Sequence, residues 1–205
     1  MPISPQLQAL SRHKDSAQQM QYRDICTMQI LAELDSCDGI IPSYDDFFHG
    51  HDYLQAVKDG HIKEGDAVLM FSIDGAQLYQ SKASDCWIYI WVIFNHDPIS
   101  SRYIKKHVLI GAIIPGPNKL KFLELYLFPG LHHLSAIQSE GLPIWDASYR
   151  MLYISHPFPM LATADGPAMA YINGLVGHQG KVGCRLHCPL KGHHKPGAST
   201  YYPAH

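Results

Sequence analysis

Two acidic residues of this 205-residue chain occupy matching settings. Asp74 follows the apolar run Val68-Leu69-Met70-Phe71-Ser72-Ile73, Asp165 follows Met160-Leu161-Ala162-Thr163-Ala164, and a glycine comes after each. An aspartate at the end of a buried strand points into the crevice where open α/β sheets take their ligands, and the glycine lets a ligand approach the backbone. On neighbouring strands the two carboxylates would lie roughly 4 to 8 Å apart and share hard divalent cations, since Mg2+ prefers oxygen ligands and paired ions steady the attacking and leaving oxygens of phosphoryl transfer. Asp-Gly after a strand is also an ordinary turn, so either position alone has a plain structural reading.

A second group is Cys184 and Cys188, separated by Arg185-Leu186-His187, with His178 before them and His193 and His194 after. Thiolate and imidazole at short spacing suit tetrahedral Zn2+, and a loop-rich tail would gain order from such ligands. Two buried free thiols account for the cysteines equally well. His132 and His133 fall on a predicted helix, where adjacent residues face different ways, so they read as structural. Asp45, Asp46, His49 and His51 are either metal ligands or a solvated acidic loop. Trp87 and Trp91 share one face of a predicted strand and read as sheet packing rather than a base-stacking platform. Lys119, Lys121, Lys181, Arg185, Lys191 and Lys195 are the basic residues near the expected cleft, as phosphate contacts or as solvated surface.

The elements that must position these groups follow from the apolar pattern. Residues 7–34 carry apolar side chains at helical spacing and predict one or two amphipathic helices. Residues 36–52 have loop chemistry with Phe47 and Phe48 as anchors, 52–58 predicts a short helix stopped by Gly60, and 63–66 predicts a turn. Runs at 67–73, 86–94 and 103–114 predict three strands, of which 86–94 (CWIYIWVIF) should be central and covered on both faces. Residues 120–140 predict a helix kinked or split at Pro129-Gly130. Segments 149–154 and 159–163 predict one or two further strands, followed by a helix.

With 46% hydrophobic and 17% charged residues, the chain suits one globular domain with a sizeable core. Its formal net charge of −2 advertises no general affinity for nucleic acid or anionic membrane. No apolar run reaches the roughly 20 residues of a membrane helix, and the first residues lack a secretory pattern, so an intracellular location is expected. Five cysteines, only two of them close together, do not read as a disulfide framework.

Three blocks add a resemblance: SIDGAQLYQSKASDCWIYIWVIF (72–94), LIGAIIPGPNKLKFLELYLFPGLHHL (109–134) and LATADGPAMAYINGLVGHQGKVGCRLHCPLKGHHKPG (161–197). With the stretch 52–203 around them, they resemble the transposases of CACTA (En/Spm-like) DNA transposons, in the form abundant in fungal genomes. That resemblance implies an α/β, RNase H-like mixed sheet with flanking helices and an Asp-Asp-Glu triad, in which Asp74 matches the first acid and Asp165 the second. It implies Mg2+ or Mn2+ as cofactor, transposon-end DNA as partner and a nuclear location, and a close cysteine pair is common at this place in relatives. The expected organisation is a helical segment and connector (1–66), a partial catalytic core (67–173) and a Gly/His/Cys-rich tail (174–205), a candidate zinc-binding insertion. No Asp or Glu follows Asp165. The chain therefore reads as a fragment or truncated copy lacking the third carboxylate and inactive alone, or else as a non-catalytic interaction remnant of a mobile element.

Overall fold

The computed structural model describes residues 1–77, 85–115, 122–165, 168–169, 172, 180–182, 191–194, 196–197 and 200–202. Three helices open the chain, α1 (Ser4–Ser11), α2 (Lys14–Gln19) and α3 (Tyr22–Ser36), where one or two were expected. The extra break lies at His13, whose extended backbone (φ −106°, ψ 135°) interrupts the apolar spacing. A 3-10 turn (Phe47–His49) leads into α4 (His51–Lys58), which ends before Gly60, as the sequence predicts.

Strands β1 (Val68–Gln77), β2 (Asp85–Ile93) and β3 (Leu109–Pro115) form an antiparallel meander. Helix α5 (Leu123–Glu140) and the hairpin β4 (Leu142–Asp146) and β5 (Met151–Ser155) follow, before β6 (Phe158–Ala164) returns parallel to β1. The main sheet is mixed, in the order β3-β2-β1-β6. Two-residue strands β7 (His193–His194) and β8 (Tyr201–Tyr202) pair in the tail. No helix among the described residues is long and apolar enough to cross a membrane.

The third strand is shorter than expected. Residues 97–107 fold into turns instead, because Asp97 turns the chain: its carboxylate accepts from Ile99 N and Ser100 Oγ, and its carbonyl from Ser101 N and Arg102 N. Strand β4 has no counterpart among the strands that the sequence predicts. Its five residues include Pro143, and proline weakens a strand signal. Helix α5 is not split. It runs through Pro129, which cannot donate to the carbonyl one turn back.

Alternation sorts the main sheet into two faces. One carries Leu69, Phe71 and Ile73 with Tyr89, Trp91 and Ile93, buried beneath Leu123, Leu127, Leu134 and Ile137 of α5 and Ile3 and Leu7 near the amino terminus. On the other, Val68 and Phe94 pack with Ile30, Phe48 and Tyr53. Farther along that second face cover thins, with Ile88 and Ile90 half-buried and Ile113 59% exposed. β2 is central, as expected, and its Trp87 and Trp91 belong to the core.

Tyr89 fixes the spacing between helix and sheet. A side chain at Gly111, in β3, would meet its ring at 1.7 Å, and one at Gly130, in α5, would meet its hydroxyl at 2.4 Å. The Pro-Gly pair that reads as a helix breaker thus contains a glycine needed for close approach.

Candidate functional site

Strands β1 and β6 are direct neighbours, in a register that places Ile73 beside Ala164. Asp74 and Asp165 each stand one residue further on, level with one another. Since Ile73 and Ala164 share the covered face, alternation sends the next positions to the face of Ser72 and Thr163. Neighbouring strands lie about 4.8 Å apart, a spacing at which two carboxylates can reach one cation.

The two aspartates differ in their local setting. Asp165 directly follows the last residue of β6, whereas Asp74 lies inside β1. The expectation that both end their strands is corrected for Asp74, because pairing with β2 carries β1 on to Gln77. Both residues are exposed. Asp74 Oδ1 accepts from Gly75 N at 2.7 Å, and Asp165 Oδ1 accepts from Ala168 N at 2.8 Å, capping the helical turn that begins there. The second oxygen of each has no partner among the described residues, so each keeps an acceptor for a cation or a donor.

No third carboxylate among the described residues joins them there. Among the described residues no group of three or more His, Cys, Asp or Glu side chains is placed to hold a metal ion. Asp146, the acid nearest to Asp165 before it in sequence, is committed elsewhere: its Oδ1 accepts from Ser148 N, Ser148 Oγ and Tyr149 N, closing the β4–β5 turn.

Cys184, Cys188, His178 and His187 lie outside the described residues. His193 and His194 pair with Tyr202 and Tyr201, and both are exposed. Adjacent strand residues point to opposite faces, so the two imidazoles do not converge on one point. The His194 ring instead packs 4.8 Å from that of Tyr201. Lys181 and Lys191 are exposed, while Lys119, Lys121, Arg185 and Lys195 lie outside the described residues. His133 Nε2 meets Ser4 Oγ at 2.6 Å, in keeping with its structural reading.

Asp46 belongs to a polar network that the sequence does not announce. Arg102 donates through Nη1 and Nη2 to its two oxygens, both at 2.7 Å, and through Nε to His96 O. The guanidinium also lies over the rings of Phe48 and Phe94. His49 completes a capping box with Asp46, so these residues hold the connector to the sheet. Asp45 stays exposed and accepts from Ser43 Oγ. Next to Arg102, His96 is fully buried and stacked on His107 with ring centroids 4.3 Å apart, and neither of its ring nitrogens has a partner among the described residues. Burial, reinforced by the nearby His107, Arg102 and Lys106, lowers its pKa to about 4. The only local signals for this network are the adjacent phenylalanines and a lone arginine after a loop; the contacts themselves link distant segments.

No family model matches the chain, and no curated protein or solved structure matches it either.

Proposed function

We propose that this chain is a transposase-derived, RNase H-like domain of CACTA type, whose ancestral chemistry is metal-dependent cleavage and strand transfer at DNA phosphodiesters, and that alone it does not turn over. The observation that carries the reading is the level placement of Asp74 and Asp165 on neighbouring parallel strands. A three-stranded meander, a helix, and a strand returning beside the first is the order an RNase H-like sheet requires. Asp74 and Asp165 would hold the cation, and a bound Mg2+ or Mn2+ would lower the pKa of an attacking water and balance charge on the departing oxygen. The chain's own contribution is orientation. Gly75 N and Ala168 N each fix one carboxylate oxygen and leave the other for the cation. Transposon-end DNA as partner and a nuclear location belong to the same proposal.

Titration with Mn2+, followed by paramagnetic relaxation of solvent water, tests the site. Weak binding is expected in the parent chain, with loss in Asp74→Ala and in Asp165→Ala; binding indifferent to both changes overturns the reading. A nicking assay on supercoiled DNA with Mg2+ or Mn2+ should give no cleavage, because two carboxylates under-coordinate a metal pair. Robust nicking that Asp165→Ala abolishes would require another acid in the site.

A second reading, a non-catalytic interaction module, is favoured by one observation: among the described residues no group of three or more His, Cys, Asp or Glu side chains is placed to hold a metal ion. It gains if Mn2+ fails to bind while the sheet stays folded.

A further inference from the structure

Helix α5 buries one face on the sheet through Leu123, Leu127, Leu134 and Ile137, yet its opposite face is apolar as well. Leu125 is 68% exposed and Phe128 63%, and Phe122, Tyr126 and Leu131 flank them, also exposed. At 100° per residue, Leu125, Phe128 and His132 form one stripe pointing away from the core, with Glu124 beside it. These apolar side chains present roughly 500 Å² to water, at the upper end of what a monomer usually shows in one patch.

We propose that this stripe is the interface of a two-fold dimer, in which α5 packs antiparallel against α5 of a second copy. The argument is self-complementarity. A two-fold axis passing by Phe128 stacks that ring on its own copy and brings Leu125 alongside Leu131 of the second copy. The same operation sets Glu124 against His132 of the second copy, twice over, a carboxylate facing an imidazole N–H. Glu124 is exposed and forms no ion pair with a described residue, and His132 is exposed with its ring 5.4 Å from that of Phe128. An isologous interface demands this reciprocity, because whatever one patch offers its copy must accept. A standard interface buries about 800 Å² per partner, so the apolar stripe provides more than half, and Pro129 and the Glu–His rim extend it.

Sedimentation equilibrium on the whole chain tests this. The parent is expected to dimerise. Phe128→Asp should weaken self-association at least about 100-fold with an unchanged circular dichroism spectrum, since the side chain is exposed and the fold does not need it. Glu124→His and His132→Glu singly place like groups face to face and should each weaken the dimer about tenfold, whereas the double exchange recreates the pair and should recover most of the loss. A monomeric parent would assign the stripe to a different partner and overturn the proposal. So would a dimer indifferent to Phe128→Asp, or a double exchange no tighter than the singles.

Discussion

Asp66 and Asp74 stand at opposite ends of one sequence segment, and the sheet treats them in opposite ways. Asp66, just before β1, is buried, with Oδ2 accepting from Lys63 N and Oδ1 from His156 N. Around it, Asn95 bridges Asp66 O and Val68 N, and Ser155 Oγ accepts from Ala67 N. Asp74 is exposed and, among the described residues, has only the N–H of its neighbour Gly75. A buried carboxylate is tolerated only when its acceptors are satisfied, so the Asp66 end is a closed polar clasp. At the Asp74 end carboxylate oxygens remain unspent beside a sheet face that is only partly covered. One end is tied into the fold, and the other keeps an acceptor oxygen unused among the described residues.

The largest test of this contrast is Asp66→Ala. It removes two charge-assisted hydrogen bonds, from the part-buried N–H groups of Lys63 and His156, and urea unfolding should show a loss of about 4 kcal/mol. A loss below about 1 kcal/mol would break the contrast, because the clasp would then hold nothing.

Acid should act next most strongly, through His96. Its folded pKa of about 4 lies below the unfolded value of about 6.5, so above that range neither state binds the proton. Between about pH 6.5 and 4 the unfolded chain takes up the proton while the folded one resists, and stability falls by up to about 3 kcal/mol as pH drops. The difference in unfolding free energy between the parent and His96→Leu, followed across that window, should change by this amount; a flat difference would mean that His96 is not held neutral by its surroundings.

Arg102→Lys sharpens the picture at about 2 kcal/mol, since an ammonium cannot make both bonds to Asp46 or lie flat over Phe94. Thermal melts should register it even though the charge is kept. The smallest effects belong to the open end. Asp165→Ala should cost about 1 kcal/mol as a lost helix cap, and Asp74→Ala should leave the melting midpoint where it was while removing Mn2+ binding. A large stability loss from Asp74→Ala would make that residue part of the scaffold.

Much of the candidate site was legible beforehand. Long β-branched and aromatic runs specify β1 and β2, and the apolar segment before Asp165 specifies β6, so the two aspartates could be assigned to strand contexts. Their placement on neighbouring strands was the expectation, and the parallel β1–β6 pairing sets those strands side by side. The sequence misled where a polar turn hides inside an apolar run: Tyr103 and Ile104 read as strand yet lie exposed in the turns that Asp97 organises. It was silent on the Asp46–Arg102 pair, whose partners are 56 residues apart and meet only after the sheet forms. Local pattern carries periodicity, and such a meeting has none.

The keyed fit of Tyr89 sets a rule for how this chain can drift over evolutionary time. An alanine at position 130 collides with the tyrosine hydroxyl, but the ring carbon behind it lies at 3.4 Å, an ordinary contact, so phenylalanine at position 89 would admit it. Position 111 has no such escape, since a methyl group there strikes the ring itself. Descendants of this sequence should therefore keep glycine at 111 for as long as 89 is aromatic, and should exchange Gly130 only after, or together with, loss of the phenolic oxygen.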